Sequence, residues 1–243
     1  MSEPGVLSPR PRRPGRLLVV AAHPADADYA LAGSVARWIG EGASAHLVCC
    51  TSGDGRGPDP AADPLELAAR HEREQRAAAA VVGYGEVTFL HRPEGAVAND
   101  LALREQLTRL IRRFRPDTLA AADPRVLIQP WSAVNHADHR AAGEAALDAV
   151  GPAANAMAFP QLMRADGLEP HAVSRLLLYW SERPTHALDI SAQLEAKLGA
   201  LSAQASRTRA VAGLEVSVRA WARRDGAAAG LEAAEAFPLF DLA

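Results

Sequence analysis

The sequence predicts an α/β fold: a Rossmann-like, doubly wound and mainly parallel sheet with helices on both faces. Three observations carry this. Continuous apolar runs, the mark of strands buried on both sides, alternate with segments whose apolar residues recur at helical spacing. The alternation starts near residue 16 and repeats to residue 122 with short connections, as expected of right-handed strand–helix–strand units. The length, 243 residues, suits one domain with a complete core.

Residues 16–22 (RLLVVAA) follow a Pro/Gly stop and read as the first strand. Leu31, Val35, Trp38 and Ile39 then mark one helix face, which stops at Gly40-Glu41-Gly42. Residues 45–51 form the second strand, where alternation sends adjacent Cys49 and Cys50 to opposite faces as core residues. A glycine-containing loop (51–58) leads to a helix of strong formers over 65–82, with Arg70, His71 and Arg73 on a charged face. Residues 86–90 are a short strand. Leu103, Leu107, Leu110, Ile111 and Phe114 mark the next helix, closed by Arg115-Pro116, and residues 117–122 are the fourth strand. Past residue 150 the signals weaken: 175–181 and 186–190 read as late strands and 192–212 as a helix. Residues 1–15, rich in Pro and Arg, read as a disordered tail, and 16–243 as a single domain.

Composition excludes several classes. Hydrophobic residues make up 49% and charged residues 23%, as in soluble globular proteins. The 26 basic and 29 acidic residues are scattered, and the net charge of -3 offers nucleic acid or anionic lipid no attracting field. No run approaches the ~20 apolar residues that span a bilayer. The opening stretch lacks the apolar core of a secretory signal, so a cytoplasmic location is expected. Gly53, Gly55 and Gly57 are not followed by the Lys-Ser/Thr pair of a phosphate loop. The first strand ends in His-Pro rather than a glycine fingerprint, which argues against a nicotinamide dehydrogenase.

Ligands of open α/β sheets bind beyond the carboxyl ends of the strands. There the first strand delivers His23-Pro24-Ala25-Asp26-Ala27-Asp28, and the fourth leads through a loop to Asn135-His136-Ala137-Asp138-His139-Arg140. A hydrolytic zinc site takes three protein ligands and keeps a fourth position open. His23, Asp26 and one histidine of the second cluster would supply that set. His139 is the natural third, because it can open the following helix while His136 stays in the loop. His46, His91, His171 and His186 show no ligand spacing, and Trp131 either lines the pocket or packs.

The stretch 19–33 resembles the opening signature of the LmbE/PIG-L family, Ala-His-Pro-Asp-Asp, and 135–140 resembles its second, His-Pro-Asp-His, with Ala137 for Pro. Thr51-Ser52-Gly53, Glu74, Asp189-Ile190-Ser191, Lys197, Leu201 and Ser206 also fit, whereas Gln204 and Arg207 stand where the family often has His and Gln. The likeness covers most of residues 16–207. It implies a zinc-dependent hydrolase, one Zn2+ per protomer, that removes N-acetyl groups from an N-acetylglucosamine-type sugar or glycoconjugate. It implies His23, Asp26 and His139 as metal ligands, and His136 acting on the oxyanion and leaving amine. Asp138 would orient a neighbouring imidazole, and Glu94 would face the sugar hydroxyls. Neither nucleic acid nor membrane is implied, and a homo-oligomer is left open.

The departure is Ala25, which stands at the family's general-base Asp. Three explanations remain: an engineered inactivating substitution, a natural member using Asp28 or His136 as base, or a pseudoenzyme that binds without turnover. An amidase of thiol-sugar conjugates is the alternative within the enzyme class.

Overall fold

The computed structural model describes residues 7–8, 11–55, 61–129 and 133–242. The chain runs β1 (Arg16–Ala21), α1 (Asp26–Gly40), β2 (Ser44–Thr51), α2 (Pro64–Val82), β3 (Glu86–Arg92), α3 (Leu101–Phe114) and β4 (Thr118–Ala122). It continues with α4 (Ala137–Ala154), α5 (Pro160–Arg164), β5 (Arg175–Tyr179), β6 (His186–Asp189), α6 (Leu194–Ala203) and α7 (Ala205–Thr208). The last elements are α8 (Leu214–Ala227), β7 (Ala234–Phe237) and β8 (Leu239–Asp241).

The main sheet has the order β3-β2-β1-β4-β5-β8. Its first five strands are parallel and β8 closes the edge antiparallel to β5. The predicted doubly wound sheet is therefore present. Alternation along β1 shows why both faces are covered: Leu17, Val19 and Ala21 pack with α1 and α2, and Leu18, Val20 and Ala22 pack with α3 and α4. Cys49 and Cys50 fall on opposite faces as free, buried thiols. Strand order reverses direction between β1 and β4, and the crevice at such a switch point is where open sheets bind ligands.

The late segment departs from expectation. The helix predicted over 192–212 is broken at Gln204, where ψ turns to 44° and the side chain runs inward to Asp28 and Gln75. The strand predicted at 186–190 joins β7 in a separate antiparallel pair rather than the main sheet. A buried ion pair ties these parts together. Lys197 Nζ donates to the Tyr29 carbonyl and to Glu235, whose carboxylate accepts the Gly33 and Ser34 N–H groups of α1. Leu7 and Ser8, read as tail, dock on the domain: Leu7 packs with Ala187 and Ala234, and Ser8 pairs with His186.

Gly143 sets how closely α4 approaches the sheet, because a Cβ there would collide with the Ala122 carbonyl. Ala in place of Gly normally stabilises an exposed helix interior by about 1 kcal/mol. Here we expect the opposite sign: Gly143→Ala should cost ~1–3 kcal/mol through overpacking, read by denaturant unfolding, and should weaken metal binding because α4 carries His139.

Candidate active site

His23 follows β1 and is completely buried. Asp26 opens α1, and its Oδ2 accepts the His23 backbone N–H at 2.8 Å, which folds the turn back on itself. His136 caps α4 by accepting the Asp138 N–H on Nδ1, so His139 emerges from the helix's first turn. These local turns, placed side by side by the β1–β4 pairing, bring together residues more than a hundred positions apart.

Three ligand atoms converge. His23 Nδ1 lies 3.2 Å from His139 Nε2 and 3.3 Å from Asp26 Oδ2, and the latter two are 3.4 Å apart. Donors ~2.0–2.1 Å from a tetrahedral zinc are separated by roughly 3.3–3.4 Å, so this set fits a divalent metal of that size. The outer nitrogens are also fixed. His23 Nε2 donates to Asp138 Oδ2 at 3.0 Å, and His139 Nδ1 donates to Asn135 Oδ1 at 2.9 Å, which leaves Nδ1 and Nε2 as inward lone pairs. Asp138, a member of the alternative group His23, His136 and Asp138, also accepts the Gly95 and Val97 N–H groups, so both of its oxygens are already engaged.

Electrostatics support the same roles. Burial opposes charge on His23, yet Asp26, then Asp138 and Glu94, push its pKa up to about 9 in the metal-free chain. Burial likewise opposes ionisation of Asp26, but His139 and His23 hold it well below the usual carboxylate range. The His23 proton is thus a resident cation that a metal bound to this group would have to expel. Its stabilising charge is fully present below pH 6.5 and is lost as pH rises through about 9. The rise in melting temperature on adding zinc should therefore grow from pH 6.5 to 9, as thermal melts with and without zinc would show.

Ala25 is the N-cap of α1, in the left-handed region with φ 75°, and its N–H donates to Gln75 Oε1 at 2.7 Å. Among non-glycine residues, Asp and Asn tolerate that conformation best. Ala25 and Asp26 share the wall of a cavity of about 810 Å³ with His139, Trp180, Arg207 and Trp221. Asp28 is elsewhere: it is fully buried, with Oδ2 held by Gln75 and Gln204, and burial raises its pKa to about 6. With no exposed surface, it is not placed to serve as the base.

Glu94 is also turned inward. Its carboxylate is almost wholly buried behind His23, 3.7 Å from Nε2, and accepts the Gly55 N–H. His71, read as part of a charged face, instead turns inward and bonds the Gly53 carbonyl. His46 and His171 bond Thr88 and the Pro116 carbonyl, His186 contacts Thr185, and exposed His91 contacts Ser52; none of them joins the site. Trp131 lies outside the described residues. Trp180, which no sequence signal marked, places its ring 5.1 Å from that of His139.

The fold and site thus define a doubly wound α/β protein with a two-histidine, one-carboxylate group at its switch point. Residues 18–150 match the family described as PIG-L, GlcNAc-PI de-N-acetylase, and the chain belongs to this PIG-L/LmbE family. It is 27% identical over 195 residues to diacetylchitobiose deacetylase of Thermococcus kodakarensis, across 79% of this chain and 70% of that protein. The structure of N,N'-diacetylchitobiose deacetylase from Pyrococcus horikoshii superposes with a TM-score of 0.86 at 25% identity, covering 94% of this chain and 84% of that one. GalB, the 4-carboxy-2-hydroxymuconate hydratase of Pseudomonas putida, shares the fold with a TM-score of 0.78 at 20% identity, covering 94% and 97%. No helix among the described residues is long and apolar enough to cross a membrane.

Proposed function

We propose that the chain is built as a zinc-dependent de-N-acetylase of an N-acetylglucosamine-type sugar or glycoconjugate, one zinc per protomer, with turnover limited by Ala25. The observation that carries this is the triangle of His23 Nδ1, Asp26 Oδ2 and His139 Nε2 beside a cavity large enough for a glycoconjugate. The chain's membership of the family and its likeness to the diacetylchitobiose deacetylases support the same reading.

A divalent metal, when bound, supplies Lewis-acid polarisation of an amide carbonyl and acidification of water. The chain's own residues do the rest. Asp138 holds the His23 tautomer, and Asn135 holds that of His139. His136 accepts a backbone N–H on Nδ1, which makes Nε2 its donor, and in this reading it serves the developing oxyanion and the departing amine. Ala25 supplies no proton acceptor on the cavity wall.

Ala25 also favours a second reading, a family member that binds its ligand without turnover. Acetate release from N,N'-diacetylchitobiose and N-acetylglucosamine, and release of the free amino sugar from thiol-sugar conjugates, both assayed on the zinc-loaded Ala25→Asp form, separate the readings. Release from the amino sugars supports the proposal. Release from the thiol conjugates alone reassigns the substrate, and none from any places the binding protein ahead.

A further inference from the structure

Arg207 is held more rigidly than its short helix suggests. On either side of it, Ser206 bonds Glu74 of α2 through both its N–H and its hydroxyl, and Thr208 Oγ1 donates to the Leu201 and Gln204 carbonyls. Gln204, at the break before α7, is anchored inward on Asp28 and Gln75. With these neighbours fixed, Arg207 lines the same cavity as Ala25, Asp26 and His139. Gly53 leaves the room: a Cβ there would stand 2.6 Å from Arg207 Nη1, and Gly53 adopts φ +76° besides.

The other described cations of this cavity are already engaged. Lys197 bonds Glu235 and the Tyr29 carbonyl, and Arg224 bonds Asp225. The Arg207 side chain makes no hydrogen bond among the described residues: Nη1 is buried against Gly53, and the Glu94 carboxylate stands 4.0 Å from Nη2, which with Nε is left to face the cavity. That carboxylate is close enough to balance the guanidinium charge but too far to accept its N–H groups. Unmet N–H donors that already have a carboxylate close by favour a neutral oxygen acceptor over a second anion.

We propose that Arg207 is a substrate-binding residue that donates to a hydroxyl of the sugar seated beside His23, Asp26 and His139. This rests on the amino-sugar reading above and adds to it the residue that selects the sugar. Because Ala25 limits turnover, the chain itself serves for binding measurements with intact substrate.

The test is calorimetric titration of the zinc-loaded chain, Arg207→Met and Arg207→Lys with N,N'-diacetylchitobiose and, as a carboxylate-bearing probe, N-acetylmuramic acid. We expect Arg207→Met to raise the Kd for N,N'-diacetylchitobiose by at least ~10-fold, with zinc content and melting temperature unchanged, and Arg207→Lys to recover part of the loss. If Arg207→Met does not fold, Arg207→Lys alone should still weaken binding measurably, because an ammonium lacks the planar fork of donors. Unchanged affinity in the folded variants overturns the assignment. A greater loss for N-acetylmuramic acid than for N,N'-diacetylchitobiose overturns the neutral-acceptor claim. Failure of the unsubstituted chain to bind either sugar overturns the amino-sugar reading itself, a result distinct from any effect of substitution.

Discussion

Ala25→Asp should raise acetate release from an N-acetylated amino sugar by at least ~10², with zinc content nearly unchanged, because a positioned base contributes ~10²–10⁴ in rate. The backbone is ready for that substitution. Position 25 is left-handed, a conformation that Asp tolerates better than Ala, and its N–H bond to Gln75 does not involve the side chain. A new carboxylate there would sit on the cavity wall beside Asp26 without displacing a ligand atom. Parallel assays of metal content and acetate release on both forms decide the matter. Equal activity would assign proton transfer to His136, since Asp28 is sealed beneath Gln75 and Gln204. Inactivity of both forms across the substrate panel would favour ligand binding without turnover.

Removal of either histidine should have the largest effect on metal binding. His23→Ala or His139→Ala leaves two of three converging donors, and zinc retained after dialysis should fall from about one per chain to near zero. Asp138→Asn should be milder, about 10–100-fold in affinity, because it perturbs the orienting shell alone. The reason is specific: Asp138 Oδ2 accepts from both Gly95 N–H and His23 Nε2, and Oδ1 accepts from Val97 N–H. An amide has only one oxygen, so its NH2 must face a donor in either orientation. Full zinc occupancy in both histidine variants, measured by metal analysis, would remove the central claim.

Apolar runs and helical spacing made β1, α1, β2, α2, β3, α3 and β4 readable, since each buries a face whose period is written locally. The two clusters at the ends of β1 and β4 were readable for a related reason, that a parallel sheet sends the residues following its strands to one edge. The break at Gln204 was not readable, because it depends on the inward bonds of its side chain to Asp28 and Gln75.

What the sequence alone determined was therefore the sheet, its helices and the residue types gathered at its carboxyl edge. Tertiary structure decided which of those groups face the cavity. The pairing of β1 with β4 brings His23 Nδ1 to within 3.2 Å of His139 Nε2, a closeness that no local signal encodes. Side-chain bonds to distant partners turn Asp28 toward Gln75 and Gln204 and Glu94 toward Gly55, and set Arg207 on the cavity wall. Spacing along a chain fixes the face of a strand or helix. The direction of a polar side chain depends on which donors and acceptors folding places within ~3 Å of it, and those come from elements far away in sequence.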